Sequence, residues 1–139
     1  MADTINASST LNGSFGTIYM DGVPLSSFNE CEVTDTKTYE NILVPGTRRV
    51  GHKLKTIEGQ GSIRGYRVTQ DLIKAFTITD NIQDIECSLS FYVEDPEGES
   101  QYVTITGVKF TKNDIIKFKA GEIITEDWEF VFDGEVIYG

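Results

Sequence analysis

The sequence predicts a β-rich α+β fold of about seven or eight strands, one short helix and one long loop. Three observations predict it. Apolar and polar residues alternate over several short runs, the period of a strand with one wet face. Asp-Gly pairs and Pro/Gly clusters punctuate the runs. A single stretch carries helical spacing behind a capping residue. The 139 residues suit one domain, 1–139, and 39 % apolar with 24 % charged residues is enough for a core.

Residues 1–13 are small and polar and read as a flexible amino-terminal arm. Ser14 to Met20 reads as a strand, and Asp21-Gly22 is a hairpin turn because Gly accepts the positive φ of a type I′ turn. Val23-Pro24-Leu25 returns, and Pro24 restricts it to a short or edge strand. Phe28 to Val44 is a long extended stretch, with Cys31 and Val33 on one face and Glu30, Glu32 and Thr34 on the other. Pro45-Gly46 breaks it, and the polar, basic segment 45–55 reads as a long loop, a length that points to function in a compact domain. Thr56 to Val68 resumes as strand.

Gln70 to about Thr77 is the helix candidate. Thr69 caps it, Asp71 sits in the first turn, and Leu72, Ile73 and Phe76 form an apolar face. Gln83 to Glu94 alternates, with Ile85, Cys87, Leu89, Phe91 and Val93 against Glu86, Ser88, Ser90, Tyr92 and Glu94. Asp95 to Gly98 turns, and Gln101 to Phe110 returns with Gly107 as a bulge candidate. Ile115 to Lys119 alternates as a further strand candidate. Glu122 to Phe132 sets Ile124, Trp128, Phe130 and Phe132 on one face, with Glu126 as the flaw in that apolar parity. Asp133-Gly134 is a second hairpin signal before Glu135 to Gly139 closes the chain.

Charge narrows the function classes. The chain holds 22 acids and 12 bases, a net charge of -10, which argues against gripping nucleic acid, since phosphate contact needs Lys and Arg. Residues 1–67 are neutral, with seven acids and seven bases, and residues 68–139 carry fifteen acids against five bases. Six of the twelve bases lie between Arg48 and Arg67, a bipolar pattern that favours association with copies of the same chain. No apolar run reaches the roughly 18 residues of a membrane helix. The first residues carry no basic start or apolar stretch, so no export signal is expected, and Cys31 and Cys87 read as reduced core residues.

Catalytic, cofactor and metal motifs are not expected. His52 is the one histidine and lies in the basic loop, and the two cysteines lack zinc-ligand spacing. Gly59-Gln60-Gly61-Ser62-Ile63-Arg64-Gly65 places its third glycine one position too late for a dinucleotide fingerprint and lies on a strand. Its glycines read as sites of close backbone packing. Asp95, Glu97 and Glu99 alternate like a calcium loop, but Ser100 and Thr106 stand where Gly and Glu are needed, so the turn reads as solvated. No Ser-His-Asp or Cys-His set is supported.

The ordered features then resemble a family. A polar arm leads into Asn12-Gly13-Ser14-Phe15-Gly16-Thr17-Ile18-Tyr19-Met20-Asp21-Gly22, and a long extended segment ends in Val44-Pro45-Gly46-Thr47-Arg48-Arg49-Val50-Gly51-His52-Lys53. Gly61-Ser62-Ile63-Arg64-Gly65-Tyr66-Arg67 precedes the helix, and Trp128-Glu129-Phe130-Val131-Phe132-Asp133-Gly134 closes the chain. Over essentially its whole length this is similar to the tail tube proteins of PBSX-like contractile phages and phage-tail-like bacteriocins.

The resemblance implies a β-sandwich or split barrel with one flanking helix, the phage tail tube fold. It implies hexameric rings stacked into a hollow tube inside a sheath, for DNA passage or membrane puncture. The partners implied are further copies of the chain, the sheath protein, a tape measure protein in the lumen and a baseplate or tube initiator. Neither sequence-specific nucleic acid binding, nor membrane anchoring, nor any cofactor is implied. Assembly is expected in the bacterial host cytoplasm, and the product in a virion or phage-like particle tail. Loop 45–55 resembles the family segment that reaches an adjacent subunit or ring, which makes Pro45, Gly46, Arg48, Arg49, His52, Lys53 and Lys55 interface candidates. An acidic wall would not neutralise phosphates, so Glu30, Glu32, Glu86 and Glu94 are candidates to face the lumen. The competing reading is a carbohydrate-binding β-domain of a baseplate, with Tyr66, Tyr92, Tyr102 and Trp128 as an aromatic platform.

Overall fold

The computed structural model describes residues 7–68, 70 and 86–139. Asp21 and Gly22 take φ of 50° and 84°, the double positive φ of a type I′ turn. The turn joins β1 (Gly16–Met20) to β2 (Val23–Pro24), with Met20 opposite Val23. Pro24 offers no N–H, and β2 stops there at one edge of the sheet. The Asp21 carboxylate also accepts from the backbone N–H and hydroxyl of Ser88 at 2.9 and 3.0 Å, which ties the turn to the next strand.

β3 (Phe28–Leu43) pairs with β4 (Val50–Tyr66) along almost its whole length. β5 (Cys87–Val93), β6 (Gln101–Lys112), β7 (Thr125–Phe132) and β8 (Val136–Tyr138) follow. All pairings are antiparallel, and one sheet runs in the order β2-β1-β5-β6-β7-β4-β3. β8 pairs with β6 at Val103–Ile105, beyond the stretch where β7 pairs at Val108–Lys112. Asp133-Gly134 therefore makes no hairpin, contrary to expectation. It is a break in a strand that goes on along β6, opposite the bulge at Gly107 (φ 66°), where β6 holds one extra residue between its pairs with Cys87 and Leu89. That bulge was legible in the sequence.

Along β7 every second side chain from Glu126 to Phe132 is buried. The register sets Phe132, Phe130, Trp128 and Glu126 opposite Gly59, Gly61, Ile63 and Gly65. The rings of Phe132 and Phe130 lie across glycine backbone: a Cβ at Gly59 would stand 2.4 Å from one ring, and at Gly61 2.6 Å from the other. The glycine run thus serves close packing, as its strand context predicts. Trp128 is fully buried, with Phe110 edge-on at 5.0 Å and Phe28 edge-on at 6.0 Å. One core cluster extends from Ile18 and Met20 of β1 to Phe28 of β3, and β1 touches β3. Four strands separate these two in the sheet order, so the sheet must roll up to join them. The result is the split-barrel form of the expected fold, a rolled sheet whose edge strands are β2 and β3.

Several expectations change. Segment 45–55 is not one long loop. β4 begins at Val50, and only 44–49 link it to β3. Residues 50–55 lack alternation because both their faces meet solvent, so burial imposes no period on them. Ile115–Lys119 is not a strand: β7 occupies the edges of both β4 and β6 there, leaving no partner. Cys31 is exposed on β3, and only Cys87 joins the core, where burial and then the Asp21 charge push its thiol up to about 12. Asp95 is buried, not solvated: its carboxylate accepts from the N–H groups of Asn12 and Glu97 at 3.1 and 2.9 Å. Asn12 sits between two 3-10 turns, Ala7–Ser9 and Gly13–Phe15. Apart from Gln70, the helix expected over 70–77 lies outside the described residues, as do the first residues of the strand expected over 83–94.

Candidate assembly interface

The rolled body ends where β4 leaves β7, at Gly59 opposite Phe132. Beyond that point, among the described residues, β3 and β4 pair only with each other, from Thr36–Glu58 to Leu43–Val50. At ~3.3 Å per residue this two-stranded hairpin projects about 25 Å. A bulge between Thr38 and Tyr39 leaves Lys55 as the extra residue on β4. Pro45 and Gly46 make the turn at the tip, and the Thr47 hydroxyl accepts from the Arg49 N–H at 3.2 Å.

The hairpin differs from the body in charge and in apolar exposure. Residues 37–57 hold five bases and one acid, so the other residues hold seven bases and twenty-one acids. Cross-strand pairs place Tyr39 with Leu54, Asn41 with His52 and Leu43 with Val50 on one face. Leu43 is 86 % exposed, and Tyr39, Val44, Val50, Leu54 and Ile57 are exposed with it. Arg48 and Arg49 flank the turn, Lys53 lies across from Glu40, and His52 sits among the apolar pairs. Every interface candidate named from the sequence is therefore brought onto one projecting element.

The lumen candidates divide. Glu30 and Glu32 lie on the outward face of β3, and the register continues that face through Arg64 and Ser62 to Asp127 and Glu129. Glu58, opposite Thr36, shares it. Asp127 and Glu129 were overlooked as members of this face, although their alternation with Trp128 and Phe130 places them outward. Glu86 and Glu94 flank opposite ends of β5 and do not join the group. Glu86 instead lies 3.4 Å from Lys109 Nζ.

The end of the sheet opposite the hairpin tip is built around a buried ion pair. Arg67 and Glu126 are in contact with side chains 9 % and 5 % exposed. Burial pushes the Glu126 carboxyl up, and the Arg67 charge pulls against it. Both terminal nitrogens of Arg67 donate to the next loop, to the carbonyls of Asp114 (2.6 Å) and Ile115 (3.0 Å). Burial also acts against the Asp114 carboxylate, but the Asp127 N–H at 3.0 Å and Lys117 at 3.2 Å hold it below the usual range. Loop 113–124 is thus tied down through its backbone, yet Ile115, Ile116, Phe118 and Ile123 are each more than 60 % exposed. Beside it, Glu30, Arg64, Tyr66, Lys117 and Asp127 line a cleft of about 490 Å³.

The four aromatics of the carbohydrate reading do not form a platform. Trp128 is in the core, and Tyr66 lies on β4. Tyr92 and Tyr102 stack instead with Tyr19 across β1, β5 and β6, each centroid step 5.0 Å. Among the described residues no three His, Cys, Asp or Glu gather as a metal would need.

A family model described as phage tail tube protein matches residues 3–137. The chain belongs to the phage tail tube protein family. It is a structural subunit of a tail tube. Solved structures share the fold at low identity. A chain of the sheath–tube complex of an extracellular contractile injection system, PVC, in its extended state, aligns with a TM-score of 0.71 at 13 % identity, over 94 % of this tail tube protein and 91 % of that chain. A chain of the anti-feeding prophage tube-terminating cap gives 0.70 at 10 % identity, over 99 % and 95 %. A chain of a gene transfer agent virion gives 0.63 at 14 % identity, over 94 % and 99 %. No curated protein sequence matches the tail tube protein.

Proposed function

We propose that this tail tube protein forms hexameric rings that stack into a hollow conduit inside a contractile sheath, grown from a baseplate initiator. The observation that carries this is the bare, basic hairpin on an acidic body. An element about 25 Å long presents exposed apolar and basic groups on both strands, and its charge is complementary to the rest of the same molecule. The two ends of the sheet order, β2 and β3, are open edges that can recruit strands from neighbours. Head-to-tail pairing of unlike edges closes a ring.

β3, β4, β7 and the end of β6 would supply four strands per subunit to the wall. About 24 strands at ~4.8 Å spacing and ~40° tilt give a backbone diameter of about 50 Å. Glu30, Glu32, Asp127 and Glu129 share the outward face of those strands, and facing the lumen they would repel DNA phosphates. The conduit serves DNA passage or membrane puncture, holds a tape measure protein during assembly in the host cytoplasm, and acts without catalysis or cofactor. Electron microscopy of the concentrated full chain with its initiator tests this. Rings or tubes with a central hole are expected, and a protein that stays monomeric there would overturn the reading.

A further inference from the structure

We propose that the outward face of β1, β5, β6 and β8, centred on Tyr19, Tyr92 and Tyr102, is a protein-docking surface whose occupant is the sheath subunit. The inference rests on the tube reading above and assigns the face that meets the sheath, which that reading leaves open. Ile18, Met20, Leu89, Phe91 and Ile105 turn into the core, so the residues alternating with them point outward. The register sets Thr17, Tyr92 and Tyr102 in one cross-strand row, and Tyr19, Ser90, Thr104 and Ile137 in the next. No Asp, Glu, Lys or Arg stands in either row. On β3, β4 and β7, by contrast, the rows Glu30–Arg64–Asp127 and Glu32–Ser62–Glu129 are charged except at Ser62. The molecule thus has one charged outward face and one neutral one, with the core between them.

The neutral face has the make-up of a protein contact. Such contacts deplete charge at their centre, enrich tyrosine there and keep polar groups at the rim. Glu86 and Glu94 carry on the alternation of β5 at its two ends, outside the neutral rows. The Tyr92 ring lies 5.0 Å from each of the Tyr19 and Tyr102 rings, and the Ser90 and Thr104 hydroxyls share a hydrogen bond at 3.1 Å. These side chains already hold one another, so docking forfeits little rotamer freedom. Tyr92, Tyr102, Thr104, Ile137 and Gly139 line a hollow of about 330 Å³, a seat for an anchoring side chain. The occupant follows from the two unlike faces. With the charged face on the lumen, the neutral face points radially outward, where that reading puts the sheath.

The test uses the full-length chain assembled with its initiator and then with the sheath protein. Ile137→Lys puts a charge at an exposed point of the neutral face, 48 % accessible, and Tyr19→Ser/Tyr92→Ser/Tyr102→Ser removes the ladder. Both variants should form tubes of wild-type appearance by electron microscopy, while the sheathed fraction of tube length falls about tenfold. The lumen-face variant Glu129→Gln should sheathe like wild type. Normal sheathing of Ile137→Lys tubes would overturn the docking and leave the tube reading intact. An equal loss in Glu129→Gln would also overturn it, because the effect would not belong to this face. Ile137→Lys protein that melts like wild type but forms no tubes would place the face between copies of the chain and overturn the sheath assignment. A wild-type chain that forms no tubes at all would overturn the tube reading and the docking together.

Discussion

β3 and β4 belong to two environments along one continuous pairing. Their first half, up to Asp35–Gly59, backs onto β7, and its inward residues meet Phe130 and Phe132. Their second half, from Thr36–Glu58 onward, pairs only with itself among the described residues. An isolated two-stranded ribbon is marginal in water, so the hairpin takes its order from the rolled body that anchors it. The difference teaches where stability and assembly reside: burial maintains the body, while the hairpin contributes exposed groups.

The sharpest way to break this comparison is to remove the hairpin. Replacing residues 40–53 with Asn-Gly would close the ribbon on the Tyr39–Leu54 pair. The body should melt within a few degrees of wild type, since it loses no core side chain. Tube formation should vanish completely by electron microscopy. Wild-type tubes from the shortened chain would show that the hairpin is not an assembly element.

Truncations within each region come next in size. Trp128→Ala removes a fully buried ring held by Phe28 and Phe110, and should cost about 3–5 kcal/mol in denaturant unfolding. Leu54→Ala, at a side chain 42 % exposed on the hairpin, should stay within about 0.5 kcal/mol while weakening assembly. Equal costs would mean that the hairpin packs on the body.

The two regions were also unequally legible in the sequence. Burial on one face wrote the body's strands as alternation: Cys87 to Phe91 and Trp128 to Phe132 follow it residue by residue. The Asp21-Gly22 turn and the Gly107 bulge were readable because each needs a φ that glycine supplies. The hairpin leaves no such trace. Gly51 to Lys55 looked like loop because no core sorts its faces. Ile115–Lys119 misled in the other direction: it alternates, but a strand needs a free edge. Its loop is held by Arg67, whose partner Glu126 looked like a flaw in the β7 pattern and is the buried counter-charge. The face shared by Glu30, Glu32, Asp127 and Glu129 needed a register that no single strand's sequence contains.

The smallest effect probes that tether by pH, because its two carboxyls shift in opposite directions. Glu126 is raised above its ordinary 4.5, chiefly by burial. Its contribution to stability is therefore fully present below 4.5 and is lost as pH rises through the raised folded value. The melting-temperature advantage of wild type over Glu126→Gln should be larger near about pH 4 than near about pH 7. Asp114 lies below its ordinary 3.8: burial works against it, but the Asp127 N–H and Lys117 prevail. Its contribution is present above 3.8 and is lost as pH falls through the depressed folded value, so the advantage over Asp114→Asn should be larger near about pH 7 than near about pH 3. Paired melts of the two variants across that range check the signs. Trends of the same direction in both would show that loop 113–124 is held by contacts other than these two charges, and would make it as independent of the body as the hairpin is.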